Sequence, residues 1–302
     1  MKGAAAIKKS QRKQYIGLLY ITPWIFGFLV LQLYPFVSSF IYSFTNYNLA
    51  KAPKFVGLEN YITLFTKDEQ FYNSLWVTLR YVFMAVPMKL AFALLVAIIL
   101  NVKLRFVNIY RTIYYLPSIL GGSVAVAVLW RFLFADSGFI NHLLSLVKIP
   151  TVGWLSNPDV SLFTISLLTV WQFGSSMVIF LAGLKQIPQE LYEAGRVDGA
   201  SKLRMFFTIT LPLLTPIIFF NLIMQMVNAF QEFTGAFVIT NGGPMKSTYL
   251  YAMKLYDEGF LFLKMGYASA LSWVLFIILL AFTALTFKSS ASWTHYEDGG
   301  NF

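Results

Sequence analysis

The chain has no cysteine in 302 residues. That excludes disulfides, thiolate metal sites and a cysteine nucleophile together, and it leaves the redox compartment open. Histidine is almost as scarce. His142 and His295 each stand without a carboxylate or second histidine at ligand spacing, so no metal site and no imidazole catalysis are expected. There is no Walker-type glycine loop, and no nucleophile–base arrangement stands out, so no catalytic residues are assigned and any ATP hydrolysis belongs to another chain. Charge is the third scarcity: Asp, Glu, Lys and Arg make up 12% of the residues, against about 25% in soluble domains. The net charge of +10 could suggest nucleic acid, but the basic residues are scattered between apolar runs and no nucleic-acid partner is expected.

What the sequence has in quantity is apolar and aromatic. It is 58% hydrophobic and 18% aromatic, with seven Trp and seventeen Tyr suited to interfacial belts, and its mean hydropathy is +0.65. At about 20 residues per span the length accommodates six helices, an all-α polytopic membrane protein whose first partner is lipid. Residues 1–14 form a basic tail, and residues 15–44 are too long an apolar run for a cleaved signal peptide, so they read as a first span bent at Pro23 and Pro35. An outer loop, 45–70, contains an amphipathic stretch in which Leu58, Tyr61, Ile62 and Phe65 fall at helical spacing.

Five further spans follow within 71–287. They cover 71–100, 111–134, 161–184, 209–239 and 262–287, with an outer loop at 136–160 broken by Gly138, Pro150, Gly153 and Pro158. Residues 288–302 are a polar tail. Arg80 and Arg131 sit near outer helix ends and read as snorkelling side chains. Lys89 lies deeper and has no assigned role beyond pairing with an intramembrane partner such as Glu232.

Charge orients the spans. Lys2, Lys8, Lys9, Arg12, Lys13, Lys103, Arg105, Arg111, Lys185, Arg196, Lys202, Arg204 and Lys288 fall on one side. Lys51, Lys54, Lys67, Lys148, Lys246 and Lys254 fall on the other. The bias places both termini and residues 185–208 in the cytoplasm.

Residues 185–208 interrupt the apolar pattern. Glu193-Ala194-Gly195-Arg196-Val197-Asp198-Gly199-Ala200 leads on to Ile209-Thr210-Leu211-Pro212, a charged and glycine-broken segment that lipid would not tolerate. Pro188 suits a helix start, Gly199 a sharp turn, and Asp198 the cap of a second short helix. The pattern of Glu-Ala-Ala, three residues, Gly, nine residues, Ile, one residue, Leu-Pro resembles the cytoplasmic loop of ABC-importer permeases, with Gly195 where that family usually has its second alanine. Further similarity lies in Arg111-Thr112-Ile113-Tyr114-Tyr115-Leu116-Pro117, in Trp130, in Gly138-Phe139-Ile140-Asn141 and in Thr240-Asn241-Gly242-Gly243-Pro244. The chain looks like the sugar-importing, first-permease type that lacks a large extracellular insertion.

The resemblance implies a type I ABC importer permease in a bacterial inner membrane. It implies three partners: a second homologous permease, a cytoplasmic ABC ATPase dimer carrying ATP and Mg, and an extracytoplasmic sugar-binding protein. No cofactor is expected on this chain. It further implies that Glu193, Ala194, Gly195, Asp198, Gly199 and Ala200 couple to the ATPase, and that Asn241, Gly242, Gly243 and Pro244 approach the binding protein.

The fifth span supplies a polar stripe. Asn221, Gln225, Asn228 and Glu232 recur at i, i+4, i+7 and i+11, costly in lipid unless they face a cavity or a partner helix. In the maltose-type member of the family, positions matching Gln225, Asn228 and Glu232 line the cavity. Trp171, Gln172 and Ser175 lie in the corresponding part of the fourth span. Two other functions compete: an ion-coupled secondary transporter, for which Glu232 is the one candidate carboxylate, and a membrane enzyme, for which no catalytic cluster appears.

Overall fold

The computed structural model of the chain describes residues 20–49, 52–102, 105–290 and 294. The basic tail, the start of the 15–44 run, Lys51, Lys103, His295 and nearly all of the last polar tail lie outside them. No strand occurs among the described residues, only an isolated antiparallel bridge between Thr45 and Phe55. The chain divides into two compact units, Met1–Lys67 with Tyr256–Leu275, and Asp68–Leu255 with Phe276–Phe302.

In the first unit α1 (Tyr20–Ser43) is long and apolar enough to cross a membrane. It carries a wide π turn at Leu29–Leu33, where Tyr34 N–H reaches back to the Leu29 carbonyl. Pro35 follows at once. A proline ring collides with the carbonyl four residues back, and one extra residue in the turn makes room for it. The short α2 (Glu59–Thr66) is the expected amphipathic helix. Asn60 donates to the Ser43 and Thr45 carbonyls at 2.8 and 2.9 Å, and Tyr61 donates to Ser43 Oγ at 2.8 Å, so α2 holds the end of α1. Trp273, from the second segment of the same unit, packs between Phe36 and Phe40 with ring centroids 4.7 Å from each, and donates to Ser39 Oγ.

The second unit is built on α3 (Glu69–Leu100), 32 residues long. Asp68 caps it by accepting from Phe71 N–H at 3.0 Å, a contact worth about 1 kcal/mol. The next span is broken: α4 (Val107–Leu120) and α5 (Val124–Leu133) meet at 99°. Gly121 and Gly122 interrupt the helix, and Ser123 caps its continuation. Beyond α6 (Phe139–Leu146), Asn141 is buried with its amide fully used. It donates to Asp136 O and Val152 O and accepts from Val152 N–H and Trp154 Nε1–H. This pins the segment from Asp136 to Trp154.

The fourth span is also bent, by 49°, between α7 (Pro158–Trp171) and α8 (Gly174–Gln186). After α9 (Gln189–Val197) comes α10 (Lys202–Phe230), which opens with a π turn at Phe206–Thr210 immediately before Leu211-Pro212, the same accommodation of a proline as in α1. The span expected to continue to residue 239 instead stops at Phe230, and α11 (Thr234–Ile239) starts afresh. Then come α12 (Tyr251–Tyr256) and α13 (Met265–Ser290).

Four helices are thus long and apolar enough to span, six if each bent pair counts once. Three spans that read as unbroken in the sequence are broken. Lys254, an outer-loop charge by sequence, is buried: its Nζ lies 2.7 Å from Asp68 Oδ2, the side chains 3% and 14% exposed. Two turns and more into α3, Tyr251 N–H donates to Thr78 Oγ1, a second contact between α3 and α12. Burial first, and the Asp68 carboxylate second, push the Tyr251 phenol well above its ordinary range.

Candidate functional site

Residues 187–210 form an elbow. Pro188 opens α9, and Glu190 and Arg196 complement its two dipole ends. Gly199 takes the turn with φ +73°, a backbone region that glycine enters without strain. The cap of the following helix is not Asp198, which is exposed, but Ser201, whose Oγ accepts from Arg204 N–H. A cap accepts from the N–H two or three positions on, and with α10 starting at Lys202 only Ser201 has that register. The expected second short helix is therefore the start of the 29-residue α10 itself.

The elbow is fastened to α10 at two points. Tyr192 OH and Thr210 Oγ1 are 2.8 Å apart. A Cβ on Gly195 would lie 3.3 Å from Met205 Sδ and 3.4 Å from Ile209 Cδ1, so the small residue lets the helices touch. Glu193 accepts from Gln189 Nε2 at 3.2 Å and remains exposed with Ala194. Ala200 is half-buried. At the tip, inside a charged segment, Val197 is 88% exposed and Leu203 69%. The sequence reading passed over these apolar side chains; an apolar residue next to Asp-Gly, where no core can reach it, was their signal.

A second feature gathers the three helix breaks. A cavity of about 150 Å³ is lined by Gly121 and Gly122 from the first break, Gln172 from the second, and Gln231, Glu232 and Thr234 from the third. Gln172 Nε2 donates to Gly121 O at 2.8 Å, Ser118 Oγ donates to Gln172 O, and Ser175 N–H donates to Ser118 Oγ. The breaks are thereby spliced through side chains, and the splice needs its glycines. A Cβ on Gly121 would stand 2.2 Å from Gln172 Cγ, and one on Gly174 2.6 Å from Tyr114 O. Glu232 Oε1 accepts from Gly235 N–H at 2.7 Å and so caps α11. At the cavity wall Thr169 Oγ1 lies 2.5 Å from Tyr81 OH.

The structure divides the expected polar stripe. Asn221 and Gln225 are buried on the face of α10 that packs within this chain, Asn228 is exposed, and Glu232 lies within the break at the cavity wall. Trp171 packs toward Trp130 with centroids 6.2 Å apart, and Trp130 Nε1 donates to Thr164 O. Ser175 is engaged through its backbone only. Lys89 is buried on α3, with Glu232 as its electrostatic neighbour but without a direct ion pair. Arg131 is exposed beside a cleft of about 410 Å³ whose wall includes Asp136, Thr240, Gly243 and Pro244. There Asn241 and Gly242 turn through φ +50° and +81°, and Thr248 Oγ1 donates to Gly243 O at 2.7 Å.

Comparison with known proteins adds the following. Residues 68–290 match the family described as binding-protein-dependent transport system inner membrane component. A relative from Bacillus subtilis (strain 168), the probable ABC transporter permease protein YesP, is 50% identical over 98% of this chain and 97% of its own length. The arabinooligosaccharides transport system permease protein AraP of the same organism is 34% identical over 93% of this chain and 90% of its own. A crystal structure of a bacterial ABC transporter involved in the import of the acidic polysaccharide alginate aligns with a TM-score of 0.81 at 22% identity, covering 94% of this chain and 98% of that one. At that identity it speaks for the fold alone, that of a type I ABC importer permease.

Proposed function

The chain belongs to the family of binding-protein-dependent transport system inner membrane components, and from that premise we propose that it forms half of the pore of an ATP-driven carbohydrate importer. The observation that carries this reading is the elbow: α9 is fastened to α10 while its Val197 tip stands uncovered. A cytoplasmic ATPase dimer, holding ATP and Mg, grips that tip and pairs a basic residue with Glu193. Because α10 runs unbroken for 29 residues, about 43 Å at 1.5 Å per residue, a push at the elbow arrives at Gln231 and Glu232 in the cavity wall. The lever is one helix.

The substrate is a sugar, as the name of the AraP relative suggests, and an oligosaccharide enters from an extracytoplasmic binding protein seated near Asn241–Pro244. The cavity suits it chemically. Glu232, Gln231 and Thr234 offer acceptors and donors to hydroxyl groups, and Ile165 and Leu168 offer apolar wall to C–H faces. A second, homologous permease completes the pore, and both termini lie in the cytoplasm.

Proteoliposomes holding both permeases and the ATPase dimer test the proposal. Sugar uptake should require ATP and the binding protein, and Glu193→Arg should leave membrane insertion intact while ATP hydrolysis no longer drives uptake. Uptake by this chain alone on an ion gradient would instead establish a secondary transporter, and normal uptake by the Glu193→Arg complex would remove the coupling role.

A further inference from the structure

Away from the cavity and the elbow, an open groove of about 390 Å³ lies between three helices, walled by Val86 and Pro87 of α3, Met226 of α10, and Phe282, Leu285 and Ser289 of α13. All three helices are long and apolar enough to cross a membrane. The groove follows α13 over the eight residues from Phe282 to Ser289, next to Ser290, the last described residue of that helix. That is about 10 Å at 1.5 Å per residue. Its other wall is Pro87, near the middle of α3. The sequence reading ends the sixth span at residue 287, so the groove runs from that boundary toward mid-membrane, within the ~15 Å depth of a single leaflet of a ~30 Å core.

The walls offer an occupant little polarity: Val86, Pro87, Met226, Phe282 and Leu285 are apolar, and the Ser289 hydroxyl is spent on its own helix, donating to Thr286 O at 2.9 Å. Beside the interfacial end stands Lys288, exposed and without an acidic partner among the described residues. A cation at the headgroup level above an apolar slot is complementary to a phosphate carrying an acyl tail.

We propose that this groove binds an anionic phospholipid, one acyl chain lying against Pro87, Phe282 and Leu285 and the phosphate at Lys288. The site is independent of the sugar passage, and lipid bound there wedges α3 against α13.

The test uses the assembled transporter in nanodiscs of phosphatidylcholine with a minor share of phosphatidylglycerol, and native mass spectrometry of the lipids kept after delipidation. The unaltered complex should retain phosphatidylglycerol. Leu285→Trp, which fills the groove from its exposed rim, should lose it, whereas Leu280→Trp, on the same helix outside the groove, should not. Lys288→Ala, at an exposed position with no fold to disturb, should lower the preference for phosphatidylglycerol over phosphatidylcholine about fivefold, the share of one basic residue at an anionic surface. An unaltered complex that keeps no phosphatidylglycerol, because a neighbouring permease's side chain fills the slot, would overturn the proposal. So would equal retention by Leu285→Trp, or an unchanged preference in Lys288→Ala.

Discussion

Gln172 shows how a residue selected for its chemistry acquires a different part once its neighbours are known. As an amide in the middle of a membrane it reads as a ligand for sugar hydroxyls, yet its Nε2 is committed to Gly121 O and its carbonyl receives Ser118. It shapes the cavity wall more than it reaches into it. Replacing it by leucine keeps the volume and leaves the Gly121 carbonyl without its donor, a loss of about 1–3 kcal/mol. Gln172→Leu should raise the half-saturating sugar concentration about tenfold in an uptake assay, with basal ATP hydrolysis unchanged; an unchanged half-saturation would mean that the splice does not hold the wall. Glu232 was visible in the sequence as a lone intramembrane carboxylate. Its cap on α11 was not, because the i+11 spacing presumes a helix continuing through Glu232, whereas the helix stops at Phe230. Lys254 misled for a related reason: periodicity says nothing of a partner more than 180 residues away, and Asp68 is what allows its burial.

Among elements, the elbow was the most legible and the helix breaks the least. Charge, glycine and proline mark the elbow against its apolar flanks. The breaks at Gly121–Gly122, Gln172–Phe173 and Gln231–Phe233 contain no proline and leave hydropathy unaltered, so a window average runs straight across them. Gly121-Gly122-Ser123, a glycine pair followed by a cap residue, was the one local warning. The packing of α9 on α10 makes a sharp statement about Gly195. Alanine places its Cβ 3.3 Å from the flexible Met205 tip and gains about 1 kcal/mol of helix propensity. Gly195→Ala should therefore keep full uptake and melt no lower than the parent, while Gly195→Phe should part α9 from α10 and abolish coupled uptake. Equal uptake by both variants would mean that the contact carries no force.

The pair at Asp68 and Lys254 is a second test at this scale. Removing the cation alone takes the ion-pair partner from a partly buried carboxylate that keeps its contact with Phe71 N–H, a loss of about 1–3 kcal/mol. Lys254→Met should lower the thermal midpoint of the detergent-purified chain, and adding Asp68→Asn should restore most of it.

For the molecule as a whole, the all-helical membrane class, the amphipathic segment before α3 and the membership of the permease family were all accessible from composition and motif. Each is a summed property that local breaks do not erase. The cavity was not accessible, because it is made where three breaks from distant parts of the chain converge, and no one-dimensional pattern records that meeting. What joins cavity and elbow is the continuity of α10, and the account stands on the elbow being gripped from outside. The absence of native cysteine allows a direct measurement. A photoreactive thiol cross-linker is placed at Val197→Cys, or at Phe139→Cys on α6 as the control, in the assembled and transporting complex. Adducts should form with the ATPase subunit from Val197→Cys and not from Phe139→Cys; a transporting complex in which position 197 never reaches the ATPase, or reaches it no better than position 139, would contradict the account.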